Sequence, residues 1–367
     1  MNMNISSVIE YLEEIAPPAL QESYDNAGLI AGSRDWECTG ILVSLDATLE
    51  VIEEAKNQNC NLVVSHHPIV FSGLKKITGR NYVEKAVTYA IKNDIALYAI
   101  HTNLDNVQHG VNAAIADKFG LVNRSILLPK TGTLKKLFTF VPSSHAEQVR
   151  SAIFAAGAGA IGNYTECSFN SEGKGTFKAN DTANPFVGAI GERHQEDEIK
   201  VEVIFPAYNE SAVVAALRNT HPYEEVAYDV VFLANNHPGI GSGIIGELPE
   251  PKPEKDFLKQ IKDVFMVPAI KHTALTGREV KRVALCGGAG SFLISNALSA
   301  KADFYITSDI KYHEFFDANN RVVLTDVGHY ESEQFTIALL HGFLQQKFPN
   351  FATLKTNVVT NPVYYYL

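Results

Sequence analysis

The sequence is short of cysteine: its 367 residues hold four, Cys38, Cys60, Cys167 and Cys286, far apart and without a CxxC pair. That spacing excludes a zinc knuckle and a disulfide framework, and it fits reduced thiols in a cytoplasmic protein. Positive charge is also scarce. Lys and Arg number 31 against 41 Asp and Glu, a formal net charge of −10. Neutralising a phosphate backbone needs a basic face, so general nucleic-acid binding is excluded, although a local basic pocket is not. No apolar run reaches the roughly 18 residues of a membrane span. The opening MNMNISSVIEYLEEIAPP is acidic and amphipathic and lacks the basic start of a secretory signal. Neither GxGxxG nor a P-loop occurs.

What is present is a globular composition, 46% hydrophobic and 20% charged, long enough for about two or three domains. The first 128 residues alternate helix and strand patterns. Ile5, Val8, Ile9, Leu12 and Ile15 recur at helical spacing and Pro17-Pro18 ends that helix. Residues 40–46, 61–68 and 94–105 read as apolar strands, with helices expected at 48–59, 82–93 and 110–119. The last third repeats this alternation, with strands at 281–285, 303–309, 321–327 and 353–361 and helices at 291–299, 312–318 and 331–348. Strands without polar alternation, separated by helices, predict a mostly parallel sheet covered on both faces. Between them the pattern changes to strand 134–142, helix 144–156, strands 161–169, 174–179 and 199–206, helix 209–219 and strand 224–233. With one strand to spare between the helices, that order fits a βαββαβ, ferredoxin-like unit. The expected organisation is an N-terminal α/β lobe (1–129), an inserted domain (130–237) and a C-terminal α/β lobe (238–367), the two lobes forming one core.

The chemistry concentrates at strand ends. In VVSHHPIV two adjacent histidines, His66 and His67, can share a site only where the strand is ending, because successive side chains point to opposite faces. Pro68 supplies that ending, at the carboxyl end of a parallel strand, where open α/β sheets bind ligands. AIHTNLDN places His101, Asn103 and Asp105 just past the next apolar run; Asp105 also suits an Asx turn or a helix N-cap. In TDVGHYESEQF, His329 and Glu333 are four apart, on one face of a helix entered through Gly328. The macrodipole explains the glutamates of that first turn but not the histidine. Three imidazoles and two carboxylates are too many for one catalytic zinc and match two metals bridged by carboxylates. Asp105 and Glu333 are the expected bridges, with His66, His67 and His329 terminal. Zinc heads the candidate ions, with Fe, Mn, Co or Ni compatible with mixed N/O ligation.

The ordered set YDNAGL (24–29), SHHP (65–68), HTNLD (101–105), TSDIKYH (307–313) and GHYESE (328–333) resembles the NIF-three-like family, often labelled GTP cyclohydrolase I type 2 homologues. The resemblance covers about 1–128 and 239–367. It implies metal ligation by His66, His67, Asp105, His329 and Glu333. It also implies a homohexamer with metal sites facing an internal cavity, and an insert similar to PII and CutA-like proteins that supplies trimer contacts. The label carries no secure activity for the family as a whole.

Other motifs are read more plainly. CGGAGS (286–291) suits tight strand-to-helix packing, with phosphate cradling at Gly287–Ser291 as the alternative. HPYEEV (221–226), with His221, Glu224 and Glu225, reads as a strand start rather than a metal site. Asp309 and His313 suit either orientation of a metal histidine or contact with substrate, and Asp25 and Asn26 suit a cavity wall. The expected function is metal-dependent hydrolysis of nucleotide or phosphate substrates, with His101 or His313 carrying protons. The alternative is a non-enzymatic metal-binding assembly or regulatory protein whose insert binds a ligand or partner.

Overall fold

A computed structural model describes residues 3–366. The chain divides into two compact units, one built from the chain before Pro129 and after Pro238, the other from Pro129–Pro238. In the first unit one sheet runs in the order Gly28–Ala31, Ala96–Ala99, Leu62–Ser65, Ile41–Ser44, Thr353–Lys355. Its last four strands are parallel and the Gly28 edge is antiparallel. The second sheet runs Lys271–His272, Val323–Asp326, Phe304–Ser308, Glu279–Ala289, Gly241–Pro253, Val122–Pro129. Its middle three strands are parallel, flanked by antiparallel partners. The central strands Ile41–Ser44, Leu62–Ser65, Ala96–Ala99, Phe304–Ser308 and Val323–Asp326 are buried at every position. Cover on both faces is what their unbroken apolar sequences require.

One core joins the two sheets. Ile41, Val64 and Tyr98 belong to the same buried cluster as Val283, Phe304 and Val323, so the two α/β lobes fold as one body. Ile5, Val8, Ile9 and Leu12 of the first helix, Ile5–Ile15, are fully buried in it.

Several elements differ from the sequence pattern. Strand 94–105 is shorter: Ala96–Ala99 is strand, and Thr102–Asp105 is one helical turn that doubles the chain back. Strand 353–361 stops at Lys355, where Thr356 and Asn357 turn to hydrogen-bond Glu54. The pattern does not announce strand Gly241–Pro253 or helix Glu254–Phe265, whose apolar side buries Phe257, Ile261 and Phe265. Glycines and prolines blur the strand.

The unit Pro129–Pro238 is ordered strand Leu134–Pro142, helix Ala146–Ala155, strand Phe169–Lys178, strand Arg193–Pro206, helix Glu210–Thr220, strand Tyr228–Phe232. Its sheet order is Phe169–Lys178, Arg193–Pro206, Leu134–Pro142, Tyr228–Phe232, with every pairing antiparallel. One strand, Phe169–Lys178, replaces the two expected at 161–169 and 174–179, and residues 161–168 hold only an isolated bridge between Ile161 and Tyr164. SEGKG resembles a turn, but Gly175 sits where a Cβ would fall 2.1 Å from an oxygen of Glu198 on the neighbouring strand. The glycine serves cross-strand packing.

Phe257 is fully buried, with ring centroids 5.7 Å from Phe119 and 5.1 Å from Phe304. Phe257→Ala is expected to lower the unfolding free energy by about 3–5 kcal/mol in chemical denaturation.

Candidate metal centre

Three histidines converge on one carboxylate. His66 and His67 follow strand Leu62–Ser65, and His329 opens the short helix His329–Glu333. Each imidazole has its Nδ1 occupied. His66 Nδ1 donates to the Ile100 carbonyl at 2.9 Å, His67 Nδ1 bonds Asp46 Oδ1 at 2.8 Å, and His329 Nδ1 bonds Asp309 Oδ2 at 2.6 Å. Fixing Nδ1 in this way turns every Nε2 inward and sets the ring orientation. His67 Nε2 and His329 Nε2 lie 2.9 and 3.1 Å from Glu333 Oε2 and 3.4 Å from each other. His66 Nε2 lies 3.7 Å from Glu333 Oε1 and 3.7 Å from Asp105 Oδ1.

The two oxygens of Glu333 thus face different neighbours. Oε1 faces His66 and Asp105; Oε2 faces His67 and His329. Glu333 therefore lies between the two groups, and Asp105 Oδ1 lies beside His66. His66 Nε2 and Asp105 Oδ1 are buried and, among the described residues, have no hydrogen-bond partner. An unpaired buried acceptor costs about 1–3 kcal/mol, and a gap of 3.7 Å is too long for a hydrogen bond. It is close to the roughly 3.4 Å between donors around one tetrahedral ion with bonds near 2.1 Å. The donor set therefore fits a divalent cation.

The electrostatics agree. Burial opposes a charge on His67, but Asp46 and Glu333 outweigh it and raise its pKa to about 9. His329 is raised to about 10 by Asp309 and Glu333 against the same burial penalty. Burial would raise the Glu333 pKa, yet the imidazoles around it hold the carboxyl well below the ordinary value. Burial and the charge of Glu333 push Asp105 up. The cluster calls for positive charge, supplied by protons on imidazole or by metal ions.

His101 joins this group. Its ring centroid is 5.2 Å from His66 and 5.3 Å from His67, and its Nδ1 bonds Asp25 Oδ1 at 2.8 Å. Asp25 Oδ2 accepts from Thr102 N at 3.0 Å and from Thr102 Oγ1 at 2.5 Å. His66, His67 and His101 offer nitrogens within 4.8 Å of one another, as do the donors of His67, His329 and Glu333.

A model of the Duf34/NIF3 (NGG1p interacting factor 3) family matches residues 3–362. The chain belongs to this family. A GTP cyclohydrolase 1 type 2 homolog of Halalkalibacterium halodurans is 39% identical over 89% of this chain and 88% of its own length. One from Staphylococcus aureus is 33% identical over 99% and 100%. Among solved structures, a Bacillus cereus protein related to NIF3 superposes with a TM-score of 0.87 at 35% identity, covering both chains in full. A Staphylococcus aureus protein gives 0.78 at 29% identity, over 100% of this chain and 99% of its own.

In this NIF3-family chain the glycine turn has a packing role. The N–H groups of Gly287, Gly288 and Gly290 donate to Asn112 Oδ1, Ser332 Oγ and Thr307 Oγ1 at 2.9–3.0 Å, leaving none of the three for a phosphate. Gly288 has φ +65°, and a Cβ there would lie 2.2 Å from Glu333 Oε1; the Glu333 carboxylate occupies space that glycine leaves. Asn112 also donates to the Asp105 carbonyl at 3.1 Å, tying Asp105 to this turn. Asp46 and Asn112 are functional neighbours that the sequence pattern does not single out. Asp46 ends the strand pattern GILVSLD as Asp105 follows its own, and that parallel is the available signal. Asp309 holds His329, with its backbone at φ +57°, a conformation that Asp tolerates better than most residues. His313 is exposed, its ring against Tyr312 and Phe316. His221 is buried, donating from Nε2 to the Phe140 carbonyl at 3.0 Å and accepting from Tyr223 N at 3.1 Å. Both its nitrogens are therefore satisfied, and it precedes a loop, not a strand.

Burial would raise the Asp25 pKa, but His101 and Thr102 lower it from 3.8 to about 2. A depressed carboxylate stabilises the fold above its unfolded pKa and loses that contribution as pH falls through the folded value. Asp25→Asn is therefore expected to cost about 1.5–3 kcal/mol near pH 7. The gap from wild type should narrow between about pH 4 and pH 2, read by denaturant titrations across pH.

Proposed function

We propose that the chain holds two divalent metal ions and acts as a metal-dependent hydrolase on phosphate-containing small molecules, nucleotides among them. One ion would be held by His66, Asp105 and Glu333 Oε1, the other by His67, His329 and Glu333 Oε2. The observation carrying this reading is the pair of buried, unpartnered donor atoms, His66 Nε2 and Asp105 Oδ1, facing one oxygen of a carboxylate whose other oxygen meets two further imidazoles. Imidazole and carboxylate donors suit zinc first, and Fe, Mn, Co or Ni. Bound there, divalent ions supply Lewis acidity toward a phosphoryl or carbonyl oxygen and acidify water.

The chain's own residues do the rest. Asp46 and Asp309 hold the rings of His67 and His329 and raise their basicity. Asp25 holds Nδ1 of His101, so Nε2 of His101 is the atom that takes a proton from water or returns one to a leaving group. A second reading, a non-enzymatic metal-binding assembly protein, is favoured by the unit Pro129–Pro238. With its own core around Leu137, Val149, Phe205 and Leu217, and read as ferredoxin-like, it suits a ligand-binding or trimer-forming insert in a homohexamer.

Protein purified without chelators is expected to carry about two ions per chain by elemental analysis. Glu333→Ala and Gly288→Ala should each lower that content, and Glu333→Ala should abolish hydrolysis of nucleotide and phosphodiester panels. Equal turnover by wild type and Glu333→Ala would sink the hydrolase reading. Metal content without any turnover would favour the assembly reading.

Metal uptake also has a sign in pH. His67 and His329, raised to about 9 and 10, are protonated in the metal-free chain at neutral pH. Metal ligation needs them neutral. Affinity should therefore rise from about pH 6 to about pH 9, with proton release visible by calorimetry in buffers of different ionisation enthalpy.

A further inference from the structure

The segment after the histidine pair supplies none of the cluster's donor atoms, yet it is anchored at both ends. Residues 68–81 form neither helix nor strand. Near the start, Asn26 Nδ2 donates to the Val70 carbonyl at 2.7 Å, beside the Asp25 that holds His101. At the end, Glu84 Oε2 accepts from Thr78 N and Oγ1 at 2.8 Å and from Arg80 N at 3.1 Å, while Asn81 caps helix Tyr82–Lys92 by accepting from Glu84 N. Between these anchors lies a cavity of about 490 Å³ lined by residues 68–76 and 81–84.

Its chemistry is selective. Phe71 packs edge-on against His101 with centroids 5.7 Å apart, and it remains 52% exposed. One side of the ring touches the histidine group while the rest is open. Lys75 and Lys76 line the cavity, and among the described residues neither forms an ion pair. Glu84, the one carboxylate in the lining, is committed to Thr78, Arg80 and Asn81. The cavity therefore carries uncompensated positive charge beside an aromatic face, in a chain whose net charge is −10. Its volume lies within the range of small-molecule sites, too small for a macromolecular segment.

We propose that this cavity is the recognition subsite for a nucleoside monophosphate-sized group. The base stacks on Phe71 and phosphate charge rests on Lys75 and Lys76, so that the rest of the molecule reaches past Phe71 to His101. Aromatic faces accept any base, and lysine is a point-charge phosphate binder. This deepens the hydrolase reading and rests on it for the reacting end only.

The test is calorimetry on the full chain with GMP, AMP and UMP, and with guanosine and inorganic phosphate as separate arms, each run metal-loaded and after EDTA. The expected result is binding of the monophosphates in both states. Lys75→Ala/Lys76→Ala should weaken monophosphates at least tenfold at unchanged metal content and leave guanosine little altered. Phe71→Ala should weaken both monophosphates and guanosine. Wild-type affinity in both variants, or no binding of any monophosphate by the wild type, overturns the subsite. Phosphate that binds as tightly as the monophosphates and is lost with EDTA also overturns it, since it assigns the anion to the metals. Loss of metal content in the wild type instead strikes the hydrolase reading, and the EDTA arm still decides the subsite.

Discussion

The candidate site depends on one buried carboxylate. Glu333, 3% exposed in its side chain, is surrounded by the imidazoles of His66, His67 and His329, and its two oxygens divide them into two groups. Burying an ionised carboxylate is expensive unless opposite charge and hydrogen bonds answer it. Here the answer is organised in depth. Each imidazole meets Glu333 or Asp105 through Nε2, and each is held from behind through Nδ1 by a carbonyl or a carboxylate. Removing Glu333 would leave rings held for a partner that is gone.

The backbone is shaped around this carboxylate as well. Gly288 lacks the Cβ that would strike Glu333, Asn112 links the glycine turn to Asp105, and Gly328 at φ +92° turns strand Val323–Asp326 into the helix carrying His329 and Glu333. None of these three small or amide residues belongs to the cluster itself. They bring its side chains from both ends of the sequence to one place, which is where α/β sheets expose their strand ends.

Much of this is legible in the sequence because periodicity and punctuation agree there. The runs Leu62–Val64 and Val322–Leu324 are unbroken apolar stretches, Pro68 and Gly328 follow a few residues past their ends, and buried parallel strands favour that pattern. Asp105 stands out for a partly mistaken reason: the run before it ends at Ala99, and one helical turn, not the strand, delivers the carboxylate. The groups behind the ligands are harder to see. Asp46 and Asp25 belong to other strands and loops, and only tertiary structure reveals which imidazole they hold. The edge strand Phe169–Lys178 is obscured by Gly173 and Gly175, and the neighbour that Gly175 makes room for, Glu198, lies on the next strand. Local pattern reports what a residue does to its own backbone, and it is silent on space left for another.

The separation of His67 and Glu333 by 266 positions has a consequence for how the protein is made. Contacts this distant close late, because the chain between them must first lose its freedom. A ribosome that has delivered His66, His67 and Asp105 has made half of the cluster, with the paired rings still lacking the carboxylate that stands between them. The cluster is completed only by the last tenth of the chain. Its closure therefore reports that the first and last parts of the sequence have met correctly.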